Sequence, residues 1–270
     1  MGTHLASELR KGHEVIGVAR RSEKADYKVD VTAKGALEEL LEKTGPEVVV
    51  NAVKPALSTD GMEEKRELVY EVNARLPERL ARLQAERGYK LVHMSTDWVY
   101  EGKEGVTYSE ESPTVSRNYY TYTKLVAEEK IRELASDYLM LRTEGVFGLD
   151  ERGGNTFLRL KAAVEQGKPF AAATDQFSQP IYGGELARII GQLVEKDAKG
   201  IFNAVGPDYV SRYGFVEKVC EKFGWKCELK RVSIKGRKIP VPSHLKVDIS
   251  KIEGVVDKIK SLGVQMDMLK

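Results

Sequence analysis

The chain has 270 residues, enough for one large domain or two small ones around a real core. Hydrophobic residues at 41% and charged residues at 31% are the proportions of an ordinary globular protein, and a formal charge of +2 gives no electrostatic reason to expect nucleic acid or an anionic membrane as a partner. No apolar run approaches the roughly 18 residues of a membrane span, and two cysteines supply neither a disulfide framework nor a four-ligand zinc pattern, so no metal is expected. Glu8, Arg10 and Lys11 interrupt any apolar start, which excludes a signal-peptide reading and makes the cytoplasm the expected compartment.

Taken in chain order, short β-branched runs alternate with longer helical patterns. The opening Met1-Gly2-Thr3-His4-Leu5-Ala6-Ser7-Glu8-Leu9 reads as a helix running into a strand, Glu14–Ala19. Further strands are expected at Glu47–Asn51, Lys90–Ser95 and Tyr138–Arg142, with helices at Lys34–Lys43, Glu64–Arg87 and Tyr119–Leu134 between them. Gly45-Pro46 and Gly88 punctuate the strand starts. Strands that are apolar along their whole length imply a parallel sheet covered on both faces, an α/β doubly wound fold. Beyond Gly145 the rhythm loosens into helices at Phe157–Gln166, Glu185–Glu195 and Arg212–Phe223, a short strand at Gly200–Ala204, and an irregular tail from Cys227. No repeat or low-complexity linker is seen. A Rossmann domain of residues 1–145 and 183–205 is expected, with a smaller substrate lobe woven from residues 146–182 and 206–270.

A dinucleotide-binding Rossmann fold opens with an apolar strand, a glycine-rich turn and a helix whose N-terminus faces the pyrophosphate. Here Gly2 occupies the place of the third glycine of such a loop, and the sequence as given shows neither an opening strand nor the first two glycines. A natural loss and an internal start both account for this.

Three segments carry chemistry. A strand ending in Val92-His93-Met94-Ser95-Thr96-Asp97-Trp98-Val99-Tyr100 delivers hydroxyls at its C-terminal end. A helix carries Tyr120-x-x-x-Lys124, and positions i and i+4 share one face of a helix. The third segment is Asp175-Gln176-Phe177-Ser178-Gln179-Pro180-Ile181-Tyr182. An ammonium close to a phenol favours the phenolate and would lower its ordinary value of about 10. With 12 tyrosines in the chain, Tyr-x-x-x-Lys alone is weak; the Ser-Thr at a strand end upstream and Leu141-Arg142-Thr143 after it give the motif weight.

Together these runs resemble dTDP-4-dehydrorhamnose reductase and its relatives, which include the regulatory β subunit of methionine adenosyltransferase. The resemblance spans nearly the whole chain from Gly2 to about Lys251. It implies reduction of the C4 ketone of a dTDP-linked sugar with NADP(H) or NAD(H), with Thr96, Tyr120 and Lys124 as the catalytic hydroxyl, acid and lysine. Tyr120 and Lys124 would also meet the cofactor, along with Gly2, Arg20, Arg21, Asp30, Val31, Asn51, Ala52, Val53, Asn73 and Ser95. A basic residue after the second strand, such as Arg20 or Arg21, suits the 2′-phosphate of NADP, although a solvated turn explains the pair as well.

Asp97, Trp98, Asn155 and Arg237 are the positions implied at the substrate. Arg237 lies in a basic run with Lys230, Arg231, Lys235 and Lys238, which reads either as a solvated loop or as a fork for a diphosphate. The implied partners are a nucleotide sugar and a second copy of the chain in a homodimer. The chain departs from the family at Glu144-Gly145, where Ser-Trp is usual, and after Asn51-Ala52, where it continues Val53-Lys54-Pro55. Both departures fall where a sugar nucleotide would be contacted. A dehydratase would place a carboxylate pair after the threonine, and here only Asp97 follows before Trp98. The alternative from another class is a non-catalytic regulatory subunit on the same fold. His93 and Cys220 read as core residues.

Overall fold

The computed structural model describes residues 2–150 and 153–269. Its centre is a four-stranded parallel sheet in the order Val48–Asn51, Lys90–Ser95, Tyr138–Arg142, Gly200–Asn203. Alternation along these strands sends side chains to two different cores. Leu91 and Met140 face one layer, where they meet Leu37 and Leu41 of the Ala36–Thr44 helix, Leu76 and Leu80 of the Leu76–Arg87 helix, and Ile131. Val92, Leu139 and Leu141 face the other, against Leu186, Ile189, Ile190 and Leu193 of the Gly183–Glu195 helix and Leu5 of the Gly2–Leu9 helix. Both faces are covered, so the fold is the expected Rossmann-like α/β arrangement.

The four strands of this sheet and the helices Tyr119–Leu134 and Arg212–Phe223 begin and end at or within a residue of their expected bounds. The strand expected over Glu14–Ala19 is only Val18–Ala19, paired in parallel with Tyr27–Lys28 in a separate two-stranded ribbon. A strand persists where its backbone groups find partners on a neighbour, and among the described residues this one has a ladder on one side only. Val48–Asn51 is correspondingly an edge of the four-stranded sheet.

The helix expected over Glu64–Arg87 is broken. Helices at Thr59–Glu64 and Arg66–Tyr70 are followed by a wider π-type turn, Glu71–Arg75, and then Leu76–Arg87. Pro77 has no N–H to give the Asn73 carbonyl four residues back, and the turn loosens at that point.

A third core lies beyond the sheet. Phe147, Phe157, Leu160, Phe170, Phe215, Val219 and Met266 pack there, and Phe223 and Trp225 stack beside Phe157. The tail expected to be irregular contributes Leu229–Val232, paired in parallel with Phe170–Ala173. Ile252, Val256 and Ile259 fold back into the core beside the sheet. No helix among the described residues is long and apolar enough to cross a membrane.

Candidate active site

The Tyr119–Leu134 helix starts where it does because Asn118 and Thr121 form a reciprocal cap. The Asn118 side chain accepts from Thr121 N at 2.9 Å and the Thr121 hydroxyl accepts from Asn118 N at 3.2 Å. Asn118 also donates to the Pro240 carbonyl at 2.9 Å, tying the helix start to the C-terminal segment. This fixes the first turn, and Tyr120 with it, over the C-terminal end of the Lys90–Ser95 strand.

The Tyr120 phenol lies beside the Thr96 hydroxyl, which accepts from Trp98 N at 3.3 Å and acts on the phenol as a hydrogen-bonding neighbour. The Trp98 ring meets Tyr120 edge-on at 5.9 Å and 82°. Burial pushes the phenol up to about 12, Thr96 opposes this, and the carboxyl groups of Asp97 and Glu144 raise it further. The lowering expected from an adjacent ammonium is therefore not found. Lys124, one turn along the helix, is buried and donates its Nζ to the Met94 carbonyl at 2.7 Å. Burial pulls Lys124 down to about 8, with Glu128 opposing and Lys54 adding to the fall. The phenol is thus protonated at neutral pH, the state a proton donor needs.

Asp97 sits 1% exposed at the start of a single 3-10 turn, Asp97–Val99; its carboxyl oxygens make no well-formed hydrogen bond, with just the backbone N–H groups of Asp97 and Trp98 near enough to favour the charged form slightly. Burial and then Glu144 push its carboxyl well above the usual range. A raised value means the folded chain holds the proton to higher pH than the unfolded chain does. The native state is undisturbed near pH ~4 and loses stability as pH rises toward the folded value. Asp97→Asn should accordingly melt close to wild type near pH ~4 and above it at neutral pH, a widening gap that melting curves across pH will read.

The remaining expected positions separate into two groups. Asn51, Ala52 and Val53 lie at and just beyond the C-terminal end of the Val48–Asn51 edge strand: Asn51 is buried, its amide bonds His93 Nδ1 at 3.2 Å and accepts from Val53 N at 3.2 Å, and Val53 is 40% exposed. Asn73 lies in the π-type turn and donates to the Thr123 hydroxyl at 3.1 Å, while its Oδ1 is buried without a partner. Arg20 and Asp30 pair at 3.5 Å on the outer ribbon, Arg21 is exposed beside them, and Val31 packs on the core. Gly2 begins the first helix.

The other group is committed elsewhere. Ser95 donates its hydroxyl to Glu128 at 2.5 Å. Asn155 caps the Thr156–Glu165 helix, accepting from Leu158 N and donating to the Gly148 carbonyl and to Asp150. Arg237 reaches only Asp60, at 3.8 Å on the surface, and Arg231 lies over the Tyr213 ring. His93 is 1% exposed, and burial followed by Lys124 holds its imidazole well below the ordinary value.

Sequence reasoning noted Glu144 only as a departure. It follows the Tyr138–Arg142 strand, accepts from Arg212 Nη2 at 3.3 Å, and reaches the Asp97–Tyr120 neighbourhood. Next to it, Gly145 has φ +61°, and a Cβ there would lie 3.2 Å from Pro180 Cα. An aromatic side chain at 145 would meet both constraints.

The sequence matches the RmlD substrate binding domain over residues 1–258. The chain belongs to the RmlD substrate binding domain family. Among curated relatives, this RmlD-family chain is 27% identical over 267 residues to the probable low-salt glycan biosynthesis reductase Agl14 of Haloferax volcanii, covering 94% of this chain and 88% of the relative. It is 31% identical over 222 residues to a probable dTDP-4,6-dihydroxy-2-methyloxan-3-one 4-ketoreductase of Streptomyces antibioticus, covering 81% and 72%. A crystal structure of a hypothetical dTDP-4-dehydrorhamnose reductase from Sulfolobus tokodaii superposes with a TM-score of 0.85 at 29% identity, covering 98% of this chain and 94% of that one.

Proposed function

We propose that this chain is an NAD(P)H-dependent reductase of a nucleotide-linked 4-keto sugar, of the dTDP-4-dehydrorhamnose reductase kind. The observation that carries the reading is a protonated phenol, Tyr120, held against the Thr96 hydroxyl at the C-terminal end of a parallel strand. Ligands of open α/β sheets bind outside those strand ends. The three similar proteins described above are each named as a reductase; they support the same reading and do not favour a regulatory subunit.

The residues present fit a dinucleotide. Asn51–Val53 offer backbone and apolar surface at the C-terminal end of the Val48–Asn51 strand, Asn73 keeps a buried oxygen without a partner, and Arg20 is an exposed cation suited to a 2′-phosphate. The bound dinucleotide supplies the hydride, which no side chain can provide. Thr96 orients the carbonyl oxygen of the sugar, and Tyr120 gives it the phenolic proton. Lys124 supplies positive charge one helical turn away, lowering the cost of the phenolate that remains, and would hold the nicotinamide ribose when the dinucleotide is bound. Asp97 and Trp98 border the sugar, and the segments around the third core, residues 146–182 with much of 206–270, form the substrate lobe.

The test is loss of reduced-nicotinamide absorbance on adding a dTDP-4-keto-6-deoxy sugar. Lys124 is charged below about 8 and neutral above it. The kcat/KM of the reaction should therefore fall as pH rises through that value, and Lys124→Met should be slower and lack that limb. Absence of sugar-dependent oxidation would refute the reading.

A further inference from the structure

Eight buried side-chain polar atoms among the described residues lack a hydrogen-bond partner, and five belong to one neighbourhood. They are both oxygens of Asp97, Oε2 of Glu144, Oγ1 of Thr143 and Nε of Arg212. Native proteins rarely leave such groups unpaired, so a cluster of them calls for a ligand or ordered water.

The neighbourhood is built from three separate elements: the turn after the Lys90–Ser95 strand, the residues after Tyr138–Arg142, and the first residue of the Arg212–Phe223 helix. The side chain of Glu144 is 10% exposed. Its Oε1 takes a hydrogen bond from Arg212 Nη2, whose Nη1 donates to Thr156 at 3.2 Å. Arg212 and Thr156 thus hold the carboxylate from one side and leave Oε2 free. Glu144, Gly145, Thr156, Ser178, Ser211 and Arg212 line a cleft there. Ser95 and Arg142 are partners in the sheet register, so the residues that follow them, Thr96-Asp97 and Thr143-Glu144, leave neighbouring strand ends on the side where Tyr120 sits, and both carboxyl groups act on its phenol.

Within the unpaired set the Thr143 hydroxyl and the proton-holding Asp97 carboxyl can donate as well as accept and Arg212 Nε donates, which leaves Glu144 Oε2 as the acceptor that needs a donor. A ligand that satisfies Glu144 must bring a donor such as an O–H. In a 4-keto-6-deoxy hexose the carbons flanking the carbonyl are C3, which bears a hydroxyl, and C5, which bears the ring oxygen and the methyl group. We propose that Glu144, held by Arg212, is a specificity residue that accepts a hydrogen bond from the C3 hydroxyl, so that this chain selects keto sugars retaining that hydroxyl. The inference rests on the nucleotide-sugar reading above and adds to it the identity of the group recognised. A site built to bond a hydroxyl discriminates strongly against the ligand that lacks it, because its own buried groups are then left unpaired.

Calorimetry in the presence of NADPH, with dTDP-6-deoxyglucose, its 3-deoxy counterpart and dTDP alone as probes, tests this on wild type, Glu144→Ala and the isosteric Glu144→Gln. Wild type should bind the 3-hydroxy sugar about 10- to 100-fold more tightly than the 3-deoxy sugar, the range for a hydrogen bond to a charged group. Glu144→Ala should bring the two sugars to near-equal affinity, with Glu144→Gln in between; a general loss of structure would weaken both sugars together and leave the ratio. Equal binding of both sugars by wild type overturns the inference while leaving the nucleotide-sugar reading intact, and so does discrimination that persists in Glu144→Ala. Failure of wild type to bind any of the three probes refutes the nucleotide-sugar reading itself, and the inference with it.

Discussion

Tyr120→Phe should lower turnover of a dTDP-4-keto sugar by about 100- to 10,000-fold, the usual contribution of a positioned proton donor. The change removes one hydroxyl beside that of Thr96 and leaves the ring against Trp98, so the fold and cofactor affinity should hardly move. Tyr122→Phe is the control. Its side chain lies on the exposed part of the helix, stacked near Tyr119 at 5.7 Å, and loses nothing that faces Asp97 or Thr96. Turnover numbers for the two variants, with melting curves alongside, separate loss of chemistry from loss of structure. Equal turnover in wild type and Tyr120→Phe would remove the phenol from the reaction.

The largest effect on stability should come from a position behind the site. Glu128 is fully buried on the Tyr120 helix and takes a forked pair from Arg142, Nη2 to Oε2 at 2.7 Å and Nε to Oε1 at 3.1 Å. Arg142 also donates to the Tyr100 hydroxyl at 2.9 Å and to the Glu110 carbonyl at 3.0 Å. Tyr100 passes the chain on to Asn203 at 2.8 Å, so the network links three of the four central strands to the helix that carries the candidate chemistry.

Arg142→Leu leaves a buried carboxylate without its partner, a loss of about 3–5 kcal/mol. In a chain of this size that corresponds to a fall in Tm of roughly 2–4 °C for each kcal/mol. The double variant Glu128→Leu/Arg142→Leu should recover much of the loss, since exchanging a whole buried pair for apolar groups is often near neutral. A double variant no better than the single one would show that the network's other bonds carry the stability.

Much of this was legible in the sequence where local signals and tertiary demands agree. The Tyr119–Leu134 helix has a capping pair at its start, and Lys90–Ser95 and Tyr138–Arg142 are strands apolar on both faces. Where pairing depends on distant segments, the local signal is silent. Phe170–Ala173 finds its partner in Leu229–Val232, far along the chain, and neither run shows a strong strand pattern. Glu14–Ala19 reads as a full strand by its alternation, yet it ladders only over Val18–Ala19, where Tyr27–Lys28 supplies a neighbour.

At the site, the spacing of Tyr120 and Lys124 places them one turn apart on the Tyr119–Leu134 helix, but the Lys124 ammonium bonds the Met94 carbonyl rather than the phenol. Glu144 was visible only as an odd residue after Arg142-Thr143. Its partner Arg212 is 68 residues away, and no local pattern announces a pairing at that distance.

The central claim is that the carbonyl carbon of a dTDP-4-keto sugar receives hydride at this site. NADPH carrying deuterium at the transferred position, incubated with the chain and a dTDP-4-keto-6-deoxy hexose, tests it directly when the product is read by NMR. The account predicts one deuterium at C4, on a single face, with a new C4 hydroxyl, and none with Tyr120→Phe over the same period. A product without deuterium at C4, or a sugar recovered with its ketone intact, would contradict it.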